Sequence, residues 1–173
     1  MPHLGHAGQE NDKTMGNRDR AEQLLQEALK EQMAKRYEAA VELYHKSITE
    51  YPTAEAHTFL GWTYSFQGRL DEAIAECRRA ISLDPAFGNP YNDIGSYLMK
   101  QGKLEEAIEW LEKAKTAPRY EPRHFPYMNL ARLYMALGRF EDASREFSQA
   151  QFLHETLNSS EQQRGGETDE AVH

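Results

Sequence analysis

The sequence predicts an all-α protein, a solenoid of antiparallel helix pairs stacked in a row. Apolar residues recur at helical spacing through the middle of the chain, and strand signals are absent. One helical-hairpin pattern then occurs three times in register. Gly61, Gly95 and Ala131 mark the first helix of each copy, and Ala73, Ala107 and Ala143 mark the second. Gly68, Gly102 and Gly138 stand at the turn between the halves. A unit of about 34 residues cannot bury its apolar face alone, so neighbouring units must lean on each other.

Each element follows in chain order. Residues 1–17 are Gly, His, Asn and charge with almost no apolar content, and a disordered N-terminal segment is expected there. A degenerate repeat covers 18–53, with helices over 18–34 and 37–50. Its second half, YEAAVELYHKSITEYP, fits the pattern well, since Ala40 takes the place that Ala73 holds one unit later. Its first half lacks the small-residue and aromatic signature, as a terminal unit exposed to water tends to. The clear repeats cover 54–87, 88–121 and 124–157. Their helices are expected over 54–67, 70–83, 89–101, 104–117, 125–137 and 140–157. Gly95 follows Gly61 by one repeat, whereas the next step, to Ala131, is longer by two positions; the last two copies are separated by a short insertion. The polar stretch 158–173 is expected to be a disordered tail.

Within a unit the residue types make physical sense. Small side chains at Gly61, Ala73 and Ala80 let two helices approach, and Leu60, Tyr64, Leu70 and Ile74 fill the surrounding space. A glycine closes each first helix in a left-handed turn. Pro85 stops a second helix, whereas Pro90 and Pro126 fall in first turns, where a missing N–H does no harm. Asn89, just before Pro90, reads as an N-cap.

Composition narrows the function classes. The chain has 173 residues, is 39% hydrophobic and 28% charged, and carries a formal net charge of -8. Such a balance argues against a general nucleic-acid binder. The lone cysteine, Cys77, cannot staple the fold and occupies a small buried position. The N-terminus has no leader-like apolar run, and no segment approaches the roughly 20 apolar residues of a spanning helix, so a cytoplasmic location away from membranes is expected. His3 and His6 lack a third ligand, so no metal site is expected. No phosphate loop, carboxylate pair or nucleophilic triad can be assembled, and neither cofactor nor enzymatic activity is expected. Glu72, Glu76, Glu105, Glu106 and Glu109 read as a solvated face on second helices.

The repeat resembles the tetratricopeptide repeat. Its pattern is met by His57, Leu60-Gly61, Tyr64, Ala73, Cys77, Ala80 and Pro85. It is met again by Tyr91, Ile94-Gly95, Leu98, Ala107, Leu111 and Ala114, and by Tyr127, Leu130-Ala131, Tyr134, Ala143, Phe147 and Ala150. The resemblance covers residues 20 to 157. It implies a right-handed superhelix whose first helices line a concave groove that holds a peptide or helix of a partner protein.

By that similarity the groove residues are Glu55, Thr58, Trp62 and Phe66, then Asn92, Asp93 and Met99, then Met128, Asn129 and Arg132. Trp62 stands open between partner anchor and inter-repeat packing, and Phe59 reads as inter-repeat packing. Family members that grip a chaperone's C-terminal carboxylate use Lys, Asn and Arg at positions held here by Thr58, Trp62, Asp93, Phe125 and Asn129. Asp93 would repel a carboxylate, which argues against that role. The inserted loop offers Arg119, Tyr120 and Arg123 as a second possible contact, set against a stiff connector with solvated charges. Self-assembly into homo-oligomers is the alternative function. It would use the apolar end of the last helix, Phe147, Phe152, Leu153 and Leu157, unless these residues cap the helix before them.

Overall fold

The computed structural model describes the backbone of residues 6–166 and the side chains of residues 14–157. Eight helices follow one another among the described residues. They are α1 (His6–Met33), α2 (Tyr37–Glu50), α3 (Ala54–Phe66), α4 (Leu70–Leu83), α5 (Asn89–Lys100), α6 (Leu104–Thr116), α7 (Phe125–Ala136) and α8 (Phe140–Gly166). They form four hairpins, and each hairpin packs on the next in sequence. No described helix is long and apolar enough to cross a membrane.

The turns inside the three clear units repeat one construction. Gly68, Gly102 and Gly138 adopt φ of 76°, 75° and 71°, open to glycine at little steric expense. The next residue's N–H then closes the helix: Arg69 to the Tyr64 carbonyl at 2.9 Å, Lys103 to Leu98 at 2.9 Å, Arg139 to Tyr134 at 2.8 Å. The α1/α2 turn copies this geometry with Lys35 at φ 59°, where Arg36 N–H reaches the Glu31 carbonyl at 2.9 Å. Asn89 is the first residue of α5 rather than its cap; Gly88 holds the cap position. A side-chain cap does occur at Thr53, whose hydroxyl accepts from Ala56 N–H at 3.1 Å.

Helices cross closest where the pattern is small. A Cβ on Gly95 would meet Leu111 at 2.6 Å, and one on Gly61 would meet the Ala73 carbonyl oxygen at 3.1 Å. Leu60, Ile94, Leu111, Leu130 and Leu133 are fully buried around these crossings. Each contributes about 1.5–3 kcal/mol relative to an exposed position. Gln32 ties the degenerate hairpin to the next: its side-chain carbonyl accepts from Tyr44 at 2.8 Å and from Thr63 at 2.7 Å.

Three features differ from expectation. Helix α1 begins at His6, ahead of residue 18, and α8 continues past 157 to Gly166. Neither stretch contains proline, so nothing in the backbone stops a helix nucleated on the packed portion from propagating outward. Residues 1–5 and 167–173 lie outside the described residues, as do the side chains of His3 and His6. Glu76, read as solvated, is only 5% exposed. It packs beside Gly61 and accepts from the His57 ring at 2.6 Å and from Arg79. A buried carboxylate satisfied on both sides fits where an isolated one would not.

Candidate functional site

The first helices bring a polar–aromatic row together across three hairpins. On α3, Phe59 and Trp62 lie 5.1 Å apart, ring centre to ring centre. The Trp62 indole N–H donates to the Asp93 carboxylate on α5. Beside it, the Asn129 amide on α7 donates to the Asn92 carbonyl oxygen at 2.9 Å. The two hydrogen bonds join neighbouring repeats, α3 to α5 and α5 to α7. Trp62 and Asp93 are half-buried. Loss of water pushes the Asp93 carboxyl up to about 7, against the pull of Trp62, Asn92 and Lys100.

Other expected groove residues are placed differently. Thr58 is fully buried and donates its hydroxyl to the Ala54 carbonyl at 2.7 Å, so it presents nothing to a partner in this structure. Phe66 is 58% exposed and stacks on Tyr37 at 5.6 Å, away from the Trp62 link. Met99 packs against the core. Glu55 is engaged by Arg119 at 3.0 Å.

That ion pair belongs to the inserted loop, which folds back over the preceding repeat. Arg119 also pairs with Asp84 and lies over the Phe87 ring. Its backbone bonds both ways: Gly88 N–H to the Arg119 carbonyl at 2.9 Å, and Arg119 N–H to the Ala86 carbonyl at 3.0 Å. Tyr120 is 3% exposed, which removes it from the possible loop contacts. Its ring fills the space above Gly88, where a Cβ would lie 2.4 Å from that of Tyr120. Arg123 donates to the Pro118 carbonyl at 2.9 Å within the loop. The loop is a brace more than a free contact surface.

Met128, Asn129 and Arg132 meet α8 instead. Together with Phe125, Phe147 and His154 they border a hollow of about 350 Å³. A second hollow of about 380 Å³, lined by Met135, Phe140 and Ser144 among others, shares Met128, Arg132 and Phe147. His124 and His154 meet edge to face at 4.9 Å. Burial and the neighbouring His154 hold the His124 imidazole below its usual range. The contribution of Phe140 and His154 escaped the sequence reading. The signal was there in the repeat register, since among the described residues no further helix pair follows α8 to cover it.

Tetratricopeptide-repeat family profiles match residues 54–87 and 98–155. Small glutamine-rich tetratricopeptide repeat-containing protein 2 of Mycosarcoma maydis is 36% identical over 95 residues, 54% of this chain and 27% of that protein. The chain therefore spans about a quarter of that relative's length. Among solved structures, PilF of Pseudomonas aeruginosa has a TM-score of 0.74 at 23% identity, covering 80% of this chain and 63% of that one. The first TPR of Spaghetti (RPAP3), bound to the HSP90 peptide SRMEEVD, has a TM-score of 0.63 at 21% identity, covering 70% and 95%. At such identities the structural likeness speaks for the fold alone.

Proposed function

The chain belongs to the tetratricopeptide-repeat family, and from that premise we propose that it is a non-catalytic protein-interaction scaffold holding a peptide segment or helix of a partner in its concave groove. The observation that carries this reading is the cross-repeat row of Phe59, Trp62, Asp93, Asn92 and Asn129. Trp is a frequent interface anchor, and the half-exposed Asp93 carboxylate and Asn129 amide beside it suit backbone groups of an extended segment, whereas Asn92, expected in the groove, is buried and serves to hold Asn129. Packing of the row between rigid hairpins lowers the ordering cost on the scaffold's side of a complex. The partner is not read by a terminal carboxylate, because Asp93 stands where a cation would be needed.

The test is affinity capture from host extract with the full chain and its Trp62→Ala variant. The expected result is a partner retained by the wild type and lost by the variant, with unchanged helical circular dichroism. Equal recovery by both removes the groove. One competing reading is self-association through the terminal helices, which would use the exposed Phe147 and Phe152. Light scattering across a concentration series decides it, since a strict monomer excludes that reading.

A further inference from the structure

The outer face of the α7/α8 hairpin is a stacking surface with no successor among the described residues. Cys77, Leu111 and Phe147 share one register position in three successive units. Cys77 and Leu111 are fully buried, whereas Phe147 is 52% exposed. Met128 shares the register of Thr58 and Asn92; those two are buried, while Met128 is half-open. Both hollows described above border on Met128, Arg132 and Phe147.

Charge sets this face apart. The lining of the two hollows contains no Asp or Glu, in a chain of net charge -8. Arg132 is exposed and makes no ion pair among the described residues. The register also indicates what it would meet. Arg132 takes the place that Trp62 holds two units earlier. Trp62 donates to Asp93 on the first helix of the following unit. A helix seated on α7/α8 in the same way brings its counterpart of Asp93 to Arg132.

We propose that this end face docks an amphipathic helix of a partner protein, its apolar side seated against Met128 and Phe147 and an Asp or Glu paired with Arg132. A second copy is a poor occupant. Stacked head to tail, it would offer the outer row of α1, where Glu22, Gln23, Gln26, Glu27 and Lys30 are exposed and, among the described residues, only Met15 and Met33 present exposed large apolar side chains, near the ends of that row. The α1 residue in the register of Phe59 and Asp93 is Gln26, and it already donates to Glu22 at 2.8 Å. Paired face to face, two copies would bring together two linings that carry Arg132 and no Asp or Glu. This site adjoins the cross-repeat row at Asn129, but its contacts with the helix rest on Met128, Arg132 and Phe147, none of which belongs to that row.

The experiment presents the full chain to a displayed library of short amphipathic helices with a fixed Leu/Ile face and randomised flanking positions. Enriched helices are expected to carry Asp or Glu at one flank. The synthetic peptide of the top sequence is expected to bind about tenfold more weakly to Arg132→Glu and to Phe147→Glu, a clear step in dissociation constant. Reselection on Arg132→Glu is expected to favour Lys or Arg at the same flank. Trp62→Ala leaves this binding unchanged, which separates the site from the groove. Both end-face residues are solvent-exposed, so circular dichroism of the variants stays that of the wild type. The proposal is overturned if no helix is enriched over the Phe147→Glu background, if the acidic preference is absent, or if Trp62→Ala abolishes binding. A dimer that Phe147→Glu dissolves also overturns it, by assigning the face to a second copy.

Discussion

Lys35 and Asp93 each sit in a place that disfavours them. Lys35 carries the left-handed conformation that glycine carries in the other three turns. That conformation costs an L-residue about 1–2 kcal/mol, against about 0.5–1 kcal/mol that glycine loses in backbone entropy. Lys35→Gly is therefore expected to stabilise the chain by about 0.5–1 kcal/mol, read as a higher urea midpoint. Asp93 shows the opposite kind of strain, a carboxyl raised to about 7 chiefly by loss of water. A raised folded pKa gives stability that is complete below the ordinary carboxylate range, about pH 4, and lost as pH climbs through 7. Asp93→Asn keeps an acceptor for the Trp62 indole and removes the ionisation. The urea midpoint of the variant is expected to gain on the wild type from about pH 4 to pH 7, then hold steady. A constant difference across that window would count against the buried carboxyl.

The brace between α6 and α7 joins a loop to α3 and to the α4/α5 connection by quite different forces. Its ion pairs, Arg119 with Glu55 and Asp84, involve half-exposed partners, and such pairs contribute about 0–1 kcal/mol. Its packing is tighter, with Tyr120 buried directly over Gly88. Adding a methyl there forces the loop outward, because the obstacle is the Tyr120 Cβ and not the tip of a flexible chain. Gly88→Ala is expected to destabilise by about 1–3 kcal/mol in thermal unfolding, more than Arg119→Ala. Hydrogen exchange at the Gly88 and Arg119 amides is expected to quicken in the Gly88 variant, since their mutual pairing depends on that close approach.

A stacked array gives identical register positions unequal weight. Leu111 is sealed by the following hairpin, and truncating it leaves a cavity. Leu111→Ala is expected to cost about 2–5 kcal/mol. Phe147 occupies the same place in the last unit with water on one side. Phe147→Ala is expected to change stability by less than about 1 kcal/mol. Paired urea titrations check the contrast, and equal losses would mean that the end face is covered in solution. The open end and the cross-repeat row thus adjoin at Asn129, each a consequence of stacking units in a line.

Much of this was legible in the residues because a repeat writes the same local rules several times over. The hairpin boundaries, the turn glycines and the close crossings at Gly61 and Gly95 all follow from spacing within a single unit. So did the packing of Phe59 against the core and the buried place of Cys77, whose thiol burial pushes up. The tertiary structure alone decided that Thr58 faces inward, that Glu76 pairs with His57 in the core, and that Tyr120 seals Gly88. Those outcomes depend on which neighbour covers a position. Arg119 meets Glu55 from two helix pairs away in sequence, and such contacts leave no periodic trace. Periodicity tells which side of a helix seeks cover; only the folded stack determines what covers it.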